Sequence, residues 1–343
     1  MSDPTRSTPA HRPLVHARGP ADLLALVPGL LGFHPEDSVV LLTVGDARQP
    51  FHARVDLPGD PVEVEALARH LVAVAGRHGV TRLACVLYTD DAGLADAFAG
   101  ELDARLDRAG ADLVCVIRAD GARWWRVGGD PDAAGAAYDV SSHPLMARTV
   151  LDGTVVLRSR QALADTLMGS DVDEVARVGE LGEQVVARLT LAVGAPPGRR
   201  TARHHLELEG RWVRHRVCRF LEDGQRLETD DVARLATVVT LSVEIRDVAW
   251  AEMSHADAHR HVDLWRDVVR RVPVQVRAAP AALLGFAAWL SGDGALAWCA
   301  VECSQEAEPD YGLARLLSDA LAGAVPPSTW QPIPREALTL FAG

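Results

Sequence analysis

Apolar and polar positions follow two different rhythms in the first half of the chain. Apolar residues recur every three or four positions in three segments, which predicts amphipathic helices at residues 22–31, 61–78 and 92–109. Short, nearly continuous apolar runs are typical of strands buried on both faces, and they cover residues 38–44, 82–88 and 112–118. We therefore expect helices and strands to alternate along the chain, as they do in βαβ units.

Two further strands are expected as hairpin partners. Residues 51–57 follow a turn after the first strand, and Asp120-Gly121 leads into a strand at 123–127. Residues 128–153 are rich in Gly and Asp and predict a long loop, which ends in a short strand at 154–157. The pattern therefore predicts an α/β N-terminal domain whose mixed sheet is mainly parallel, with antiparallel hairpins at its margins.

The second half of the chain shows only helical periodicity. The segment Ala195-Pro196-Pro197-Gly198 predicts a linker, and the Pro- and Ser-rich start predicts a disordered lead-in rather than a signal peptide. We expect a lead-in at 1–19, the α/β domain at 20–194, an all-α domain at 199–330 and a C-terminal tail at 331–343. The expected helices cover residues 159–167, 171–193, 206–221, 230–242, 256–271, 281–291, 295–307 and 311–322.

The last three expected helices resemble a tetratricopeptide repeat. They are separated by Gly292-Asp293-Gly294 and by Glu308-Pro309-Asp310-Tyr311, and small residues alternate with aromatic ones at helical spacing. Such repeats are helix–turn–helix units of about 34 residues that stack on one another. We therefore predict tetratricopeptide-like helix pairs in the all-α domain, with an ordinary helical bundle as the alternative.

The basic residues exclude several classes of enzyme. All 35 basic side chains are arginine, and the chain has neither lysine nor asparagine, as codon usage in a GC-rich genome would produce. The standard phosphate-binding P-loop, Schiff-base enzymes and protein kinases all need a lysine. None of them is expected here.

Charge and hydropathy argue against nucleic acid and membranes as binding partners. The formal net charge is −12, which repels a phosphate backbone unless positive charge is concentrated somewhere. Residues 199–219 hold such a concentration, but with Trp212 as the one aromatic side chain there, so a solvated helix face neutralised by acidic neighbours is expected and nucleic-acid binding is unlikely. No apolar run reaches the roughly 18 residues of a membrane span, and the five scattered cysteines suggest reduced thiols, so we expect a cytoplasmic protein without membrane contact.

Acidic residues end three of the expected strands. Ligands of open α/β sheets bind beyond the carboxyl ends of the strands. An acidic rim there could hold Mg²⁺ or a cationic ligand, although Thr89 or Asp90 is also a good helix cap and Asp120 suits a hairpin turn. Arg54 stands two residues before Asp56, and Arg118 stands two residues before Asp120. Each arginine is therefore expected on the same strand face as the acid that follows it. The candidate ligand-binding residues at these ends are Asp56, Asp90 and Asp91.

A second candidate set lies in the loop before the first strand. Gly32 is placed to end a helix, and His34, Glu36 and Asp37 follow it, which supplies a potential acid–base set beside a strand. A turn after a helix-ending glycine is also normally polar for structural reasons, since short polar side chains bond the local backbone. Both interpretations stay open at this point.

Four segments together are similar to a known family. They are the run 28–42, the strand end 54–58, the helix start Ser159-Arg160 and the turn 292–298. As a set they resemble the uncharacterised actinobacterial family called domain of unknown function number forty-one ninety-two, over residues 19–330. That family has no assigned activity, so the resemblance implies no catalytic residue.

These observations support two hypotheses. The first is a non-enzymatic cytoplasmic protein that binds a small-molecule ligand through the α/β domain and another protein through the helical domain, with no cofactor and no bound metal. The alternative is a metal-assisted hydrolase or transferase that uses the acidic crevice at the strand ends, with His34 nearby.

Overall fold

The chain forms two compact units in a computed structural model. The structure describes residues 17–45, 52–130, 133–194, 198–338 and 340. The first unit reaches Arg160 and the second begins at Gln161. The expected lead-in and the expected linker at 195–198 lie largely outside the described residues. The prediction that residues 20–194 and 199–330 are separate domains is not tested by this division.

Six strands and four helices lie in the described part of the first unit. They are α1 (Pro20–Leu31), β1 (Ser38–Thr43), β2 (His52–Asp56), α2 (Pro61–Arg77), β3 (Arg82–Tyr88), α3 (Ala92–Arg108), β4 (Asp112–Ala119), β5 (Arg123–Arg126), β6 (Ala136–Ala137) and α4 (Pro144–Leu151).

The strands form one mixed sheet in the order β2-β1-β3-β4-β5-β6. The predicted α/β unit and its hairpins are confirmed, but the expectation of a mainly parallel sheet is wrong. Among the described strands only β3 and β4 pair in parallel. The reason is the placement of β1, which lies between β2 and β3 and runs antiparallel to both. The strands that α2 connects are therefore separated by one strand instead of pairing.

Both faces of β1 are buried. Val40 and Leu42 face a cluster that α1 covers with Leu24 and Val27. Val39, on the opposite face, is equally buried, and the mutually packed α2 and α3 are the helices that remain to cover that side. The continuous apolar run of β1 follows from this double burial.

The segment predicted as a long loop contains regular structure. Strand β6 and helix α4 lie within residues 128–153, and the expected strand at 154–157 is reduced to one bridge between Phe33 and Leu157. Helix α4 starts because Pro144 suits the first helical turn and His143 caps it, its Nδ1 accepting from the Leu145 N–H at 3.3 Å. In the sequence, these two signals for a helix are short, whereas the Gly and Asp residues that indicate a loop are spread over the whole segment.

The second unit is helical. Helix α9 was not expected, and it exists because Ser242 ends one helix and caps the next, accepting from the Ile245 N–H at 3.4 Å. The helices are α5 (Arg160–Asp165), α6 (Val172–Val193), α7 (Arg199–Asp223), α8 (Thr229–Leu241), α9 (Val243–Ala251), α10 (Ala258–Arg271), α11 (Ala278–Leu290), α12 (Gly294–Ala307) and α13 (Gly312–Ala322), with short 3-10 turns at Val274–Val276, Pro327–Thr329 and Arg335–Ala337.

Helix α11 forms the centre of this unit. Every one of its residues is buried, and it packs against α8, α10, α12 and α13. Part of the predicted tail also belongs to this unit, because Leu340 is buried. Trp330, the residue before the tail, stacks on Trp250 at 5.4 Å between ring centres. The Arg203 guanidinium donates to the Leu340 carbonyl at 2.8 Å. Residues 339 and 341–343 lie outside the described part.

Charged side chains are paired where they enter this helical core. Arg271 is almost fully buried and donates to Glu174 at 2.7 Å, to Asp267 at 2.8 Å and to the Leu227 carbonyl at 2.8 Å. The network ties α6 and α10 to the connection before α8. Removing one partner would leave a buried charge uncompensated, which is costly in proteins.

His261 is the exception, a fully buried histidine without a charged contact partner. Its Nε2 lies 3.2 Å from the Glu252 carbonyl oxygen, and its Nδ1 has no partner among the described residues. Burial lowers the pKa of His261 from 6.5 to about 4, although the Glu252 carbonyl and the negative charge of Asp257 act in the opposite direction. The neutral imidazole is therefore part of the folded core.

We predict that His261 makes the stability of the helical unit depend on pH. Its pKa is lower in the folded state, so the unfolded chain binds more protons below pH 6.5, and the contribution present above that pH is lost as pH falls towards 4. The loss is about 3 kcal/mol. Urea unfolding of the native chain and of His261→Gln, followed by circular dichroism from pH 7 to pH 4, measures it. The glutamine can still donate to the Glu252 carbonyl but does not titrate, so parallel pH curves for the two proteins would contradict the prediction.

Candidate functional site

The sheet brings the predicted site residues to one edge. Ser38, the first residue of β1, lies opposite Asp56 at the end of β2 and opposite Tyr88 at the end of β3. Tyr88 in turn pairs with Ala119 at the end of β4. The loop before β1 and the three acidic strand ends therefore meet along a single edge of the sheet.

The two arginines of this edge lie on opposite faces of the sheet. Arg54 pairs with Val40, and alternation along the strands puts both on the face that α1 covers. Arg118 pairs with Leu87, which points to the other face. The expectation that each arginine shares its strand face with an acid is met for Arg54, but the two arginines do not converge on one crevice.

The contacts of the 34–37 loop are made by its backbone. The His34 N–H donates to the Leu157 carbonyl at 2.9 Å, and the Leu57 N–H donates to the Asp37 carbonyl at 2.9 Å. The Glu36 carbonyl accepts from Arg54 at 3.4 Å. Among the described residues, none of the three side chains makes a hydrogen bond or an ion pair, although His34 is only half-exposed. These backbone contacts hold the loop as a turn.

Asp37 carries the strained position of this turn. Its φ is 42°, in the left-handed region that glycine tolerates and that other residues rarely adopt. Aspartate and asparagine are the side chains that accept it best. The backbone geometry therefore explains why a short polar residue stands immediately before the buried strand.

The acids at the strand ends are mostly engaged. Asp56 pairs with Arg54 at 2.6 Å, with its side chain largely exposed. Asp91 caps α3 by accepting from the Leu94 N–H at 2.9 Å, so the cap is Asp91 and not Thr89 or Asp90 as expected. The Asp90 side chain is exposed, and its carbonyl accepts from Arg118 at 3.4 Å.

Asp120 makes the hairpin turn between β4 and β5. Its carboxylate accepts from the Arg123 N–H at 2.7 Å and from the Ala122 N–H at 2.9 Å. These backbone hydrogen bonds, with that from Arg123 the largest, lower the pKa of Asp120. The residue is exposed and held ionised by the turn itself.

The edge offers carboxylates but no assembled metal centre. Over the ranges of the chain that the structure describes, no three or more His, Cys, Asp or Glu side chains are placed together to hold a metal ion. The carboxylates of Asp91 and Asp120 accept from backbone amides instead. Such hydrogen bonds stabilise helix starts and turns.

Two buried hydroxyls at the same edge were missed from the sequence. Ser38 is fully buried and Tyr88 nearly so, and neither hydroxyl has a hydrogen-bond partner among the described residues. Burial raises the pKa of Tyr88, and the neighbouring Tyr138 phenol raises it further. The signal in the sequence is a polar residue at each end of an otherwise apolar strand pair. Buried polar groups are nearly always satisfied, so this pair is the strongest candidate contact for a small polar ligand.

The arginine-rich helix α7 is partly neutralised, as expected. Ion pairs join Arg203 to Glu207, Arg214 to Glu252 at 2.8 Å, Arg216 to Asp231 and Arg219 to Asp223. Trp212, the aromatic residue of this segment, carries the guanidinium of Arg234 at 4.1 Å from its ring centre. The ring face is thus occupied by a cation from the same unit.

We predict that the left-handed geometry of Asp37 dominates its contribution to stability. Replacing it with glycine should leave stability unchanged or raise it by up to about 1 kcal/mol, because glycine adopts this φ without a steric penalty. Asp37→Val should cost about 2 kcal/mol, because a β-branched residue is poorly tolerated there. Thermal unfolding of the two variants measures both effects. Equal losses in both would show that the Asp37 carboxylate, not its backbone, matters.

Comparisons with known proteins bear on the family of this chain and not on its activity. No curated protein and no solved structure matches the chain. Within the described residues, no helix has the length and apolar character needed to cross a membrane. The model of the family described as domain of unknown function (DUF4192) matches residues 20–328, which run from α1 into the 3-10 turn at Pro327–Thr329. The chain therefore belongs to the DUF4192 family.

Proposed function

We propose that this protein is a non-enzymatic cytoplasmic binding protein. Its helical unit engages another protein, and its α/β unit binds a small polar ligand at the carboxyl edge of the sheet. The observation that carries the proposal is the incompletely covered apolar side of α6.

Helix α6 is long and amphipathic, and the side that packs on α8 is incompletely buried. Of its 22 residues only Val178 is fully buried. The other apolar residues on its packed side are half-buried, and we call this set the α6 stripe: Val175, Leu181, Val185, Leu189 and Val193. Amphipathic helices normally bury such a side against their own core. A stripe left half-open suits a protein partner better than solvent.

The end of the helical unit supports a role in protein binding. Helices α11, α12 and α13 all pack on one another, and Gly285 of α11 lies where the packing is tight. A Cβ there would lie 2.9 Å from Leu317 and 3.3 Å from the Ala297 carbonyl oxygen. Close packing through small residues is typical of tetratricopeptide-like helix pairs, so we propose that these three helices are such a unit.

The cysteines support the proposed compartment. All five are free thiols, three of them buried. Burial raises the pKa of Cys303 to about 11, which keeps this thiol protonated and unreactive. Free thiols are the usual state in a reducing cytoplasm. The chain has no lysine, as codon usage in a GC-rich genome would produce, and this composition supports an actinobacterial origin.

The ligand part of the proposal rests on the sheet edge. Ser38 and Tyr88 present two buried hydroxyls at the position where α/β sheets bind ligands. They offer hydrogen bonds without charge, so the matching ligand is small, polar and neutral. The alternative, a metal-assisted hydrolase or transferase, has no comparable support, because the carboxylates of Asp91 and Asp120 accept from backbone amides.

Site-specific photocrosslinking tests the protein-binding part. A photoreactive residue at position 189, on the α6 stripe, should give one discrete adduct with another polypeptide in the native cell. The same residue at position 184, on the exposed side of α6, should give at least several-fold less of it, because Gln184 faces solvent. Equal adduct patterns from both positions, or none from 189, would contradict the proposal.

A further inference from the structure

The solvent side of α7 carries basic residues for which the described part of the chain shows no ion pair. Arg200, His204, Arg211 and His215 follow one another at intervals of four, seven and four residues, which places them on one face of the helix. All four side chains are exposed. We call this set the basic stripe.

The basic stripe differs from the rest of α7 in its lack of neutralising acids. The other arginines in the middle of the helix are held in ion pairs with carboxylates. Arg200 and Arg211 make no ion pair with any residue in the described part of the chain. In a protein of net charge −12 they are a local positive surface that attracts an acidic one.

An apolar side chain stands within the basic stripe. Leu208 lies three residues before Arg211 and is 45% exposed. A leucine between two arginines suits a protein surface, where apolar and charged contacts combine. It does not suit a nucleic acid, since the nearby Trp212 ring is already covered by Arg234 and offers no stacking platform.

Helix α3 presents a complementary surface. Asp96, Asp103 and Asp107 are exposed and follow one another at intervals of seven and four residues, again on one helix face. We call this set the acidic stripe. Its outer members are eleven residues apart, as are Arg200 and Arg211, and this interval corresponds to about 16 Å along a helix.

Gly100 supplies an independent reason to expect a close neighbour on α3. It is exposed in the middle of the helix, and a Cβ at this position would meet nothing within 4 Å. Glycine weakens a helix interior relative to alanine, and the fold itself does not need it here. Together with the exposed Ala97 and Ala104 it places three small residues beside the acids.

We propose that the basic stripe of one copy of this chain docks on the acidic stripe of a second copy, with Leu208 against Gly100. The charges are opposite, the intervals are equal, and the small residues of α3 lie where the exposed Leu208 of α7 would dock. Because the two surfaces differ, the contact is heterologous. After the first contact, one copy still has its acidic stripe free and the other still has its basic stripe free. The association is independent of the α6 stripe and is weakened by salt.

Charge reversal in the full chain tests the proposal by sedimentation velocity. The native chain should self-associate with rising concentration at low salt and dissociate in about 0.5 M NaCl, where exposed charges are screened. Two variants, Arg200→Glu with Arg211→Glu and Asp96→Arg with Asp107→Arg, should each stay monomeric. An equimolar mixture of the two should form a dimer and nothing larger, because each variant retains one intact stripe.

Two controls separate this contact from general effects of charge and folding. Arg148→Glu with Arg315→Glu changes the net charge equally at exposed positions outside both stripes and should associate as the native chain does. Gly100→Gln should raise the melting temperature, because glutamine favours the helix, and should weaken association by about tenfold, because it blocks Leu208.

Four results would overturn the proposal. They are a native chain that is monomeric at every salt concentration, a variant mixture that stays monomeric, an arginine double variant that associates like the native chain, and binding of a single-stranded oligonucleotide through Arg200 and Arg211 in place of self-association. Circular dichroism of each variant confirms that it is folded before the result is read.

Discussion

The antiparallel pairing of β1 on both of its edges is the constraint on which the α/β unit depends. β1 is buried on both faces and lies between β2 and β3, so its register decides which residues meet at the carboxyl edge of the sheet. Ser38 opposite Asp56 and Tyr88 is the direct result. A shift of one residue would turn Val40 and Leu42 to the wrong face and separate these groups.

The same constraint explains the polar residues of the preceding loop. The chain must leave α1, turn and enter a strand that is already surrounded, and Gly32 and Asp37 adopt the two positive φ angles that this path requires. The carbonyl of Asp37 holds the end of β2, and the carbonyl of Gly32 accepts from the Leu157 N–H. The loop therefore fixes where β2 and residue 157 lie relative to β1. The short polar side chain of Asp37 suits this role, because aspartate tolerates a positive φ.

Much of this unit could be predicted from local signals. Gly32 and Pro35 mark the end of α1, Asp120-Gly121 marks a hairpin, and the apolar run of β1 marks double burial. The parallel character of the sheet could not be predicted, because the insertion of β1 between β2 and β3 is a long-range choice that periodicity does not report. Helix α4 and the dual role of Ser242 were missed for the opposite reason, since their caps are short signals within polar or apolar segments.

The candidate site shows the same division. Acids at the ends of three strands could be recognised from the sequence. That Asp56, Asp90 and the 34–37 loop lie on one edge depends on the order of the strands, which the sequence does not report. The separation of Arg54 and Arg118 onto opposite faces, and the burial of the Ser38 and Tyr88 hydroxyls, depend on register across three strands, which no single segment encodes. The basic residues of α7 were recognised as a cluster, but only the structure distinguishes the paired arginines from Arg200 and Arg211.

Amide hydrogen exchange tests the central claim, that the loop before β1 is part of the architecture. The decisive amides are those of His34, Leu57 and Leu157, whose partners are the carbonyls of Leu157, Asp37 and Gly32. If the loop and the strand form one cooperative unit, these amides should be protected to the same free energy as those of β1. Rapid exchange of the three while β1 remains protected would contradict the account.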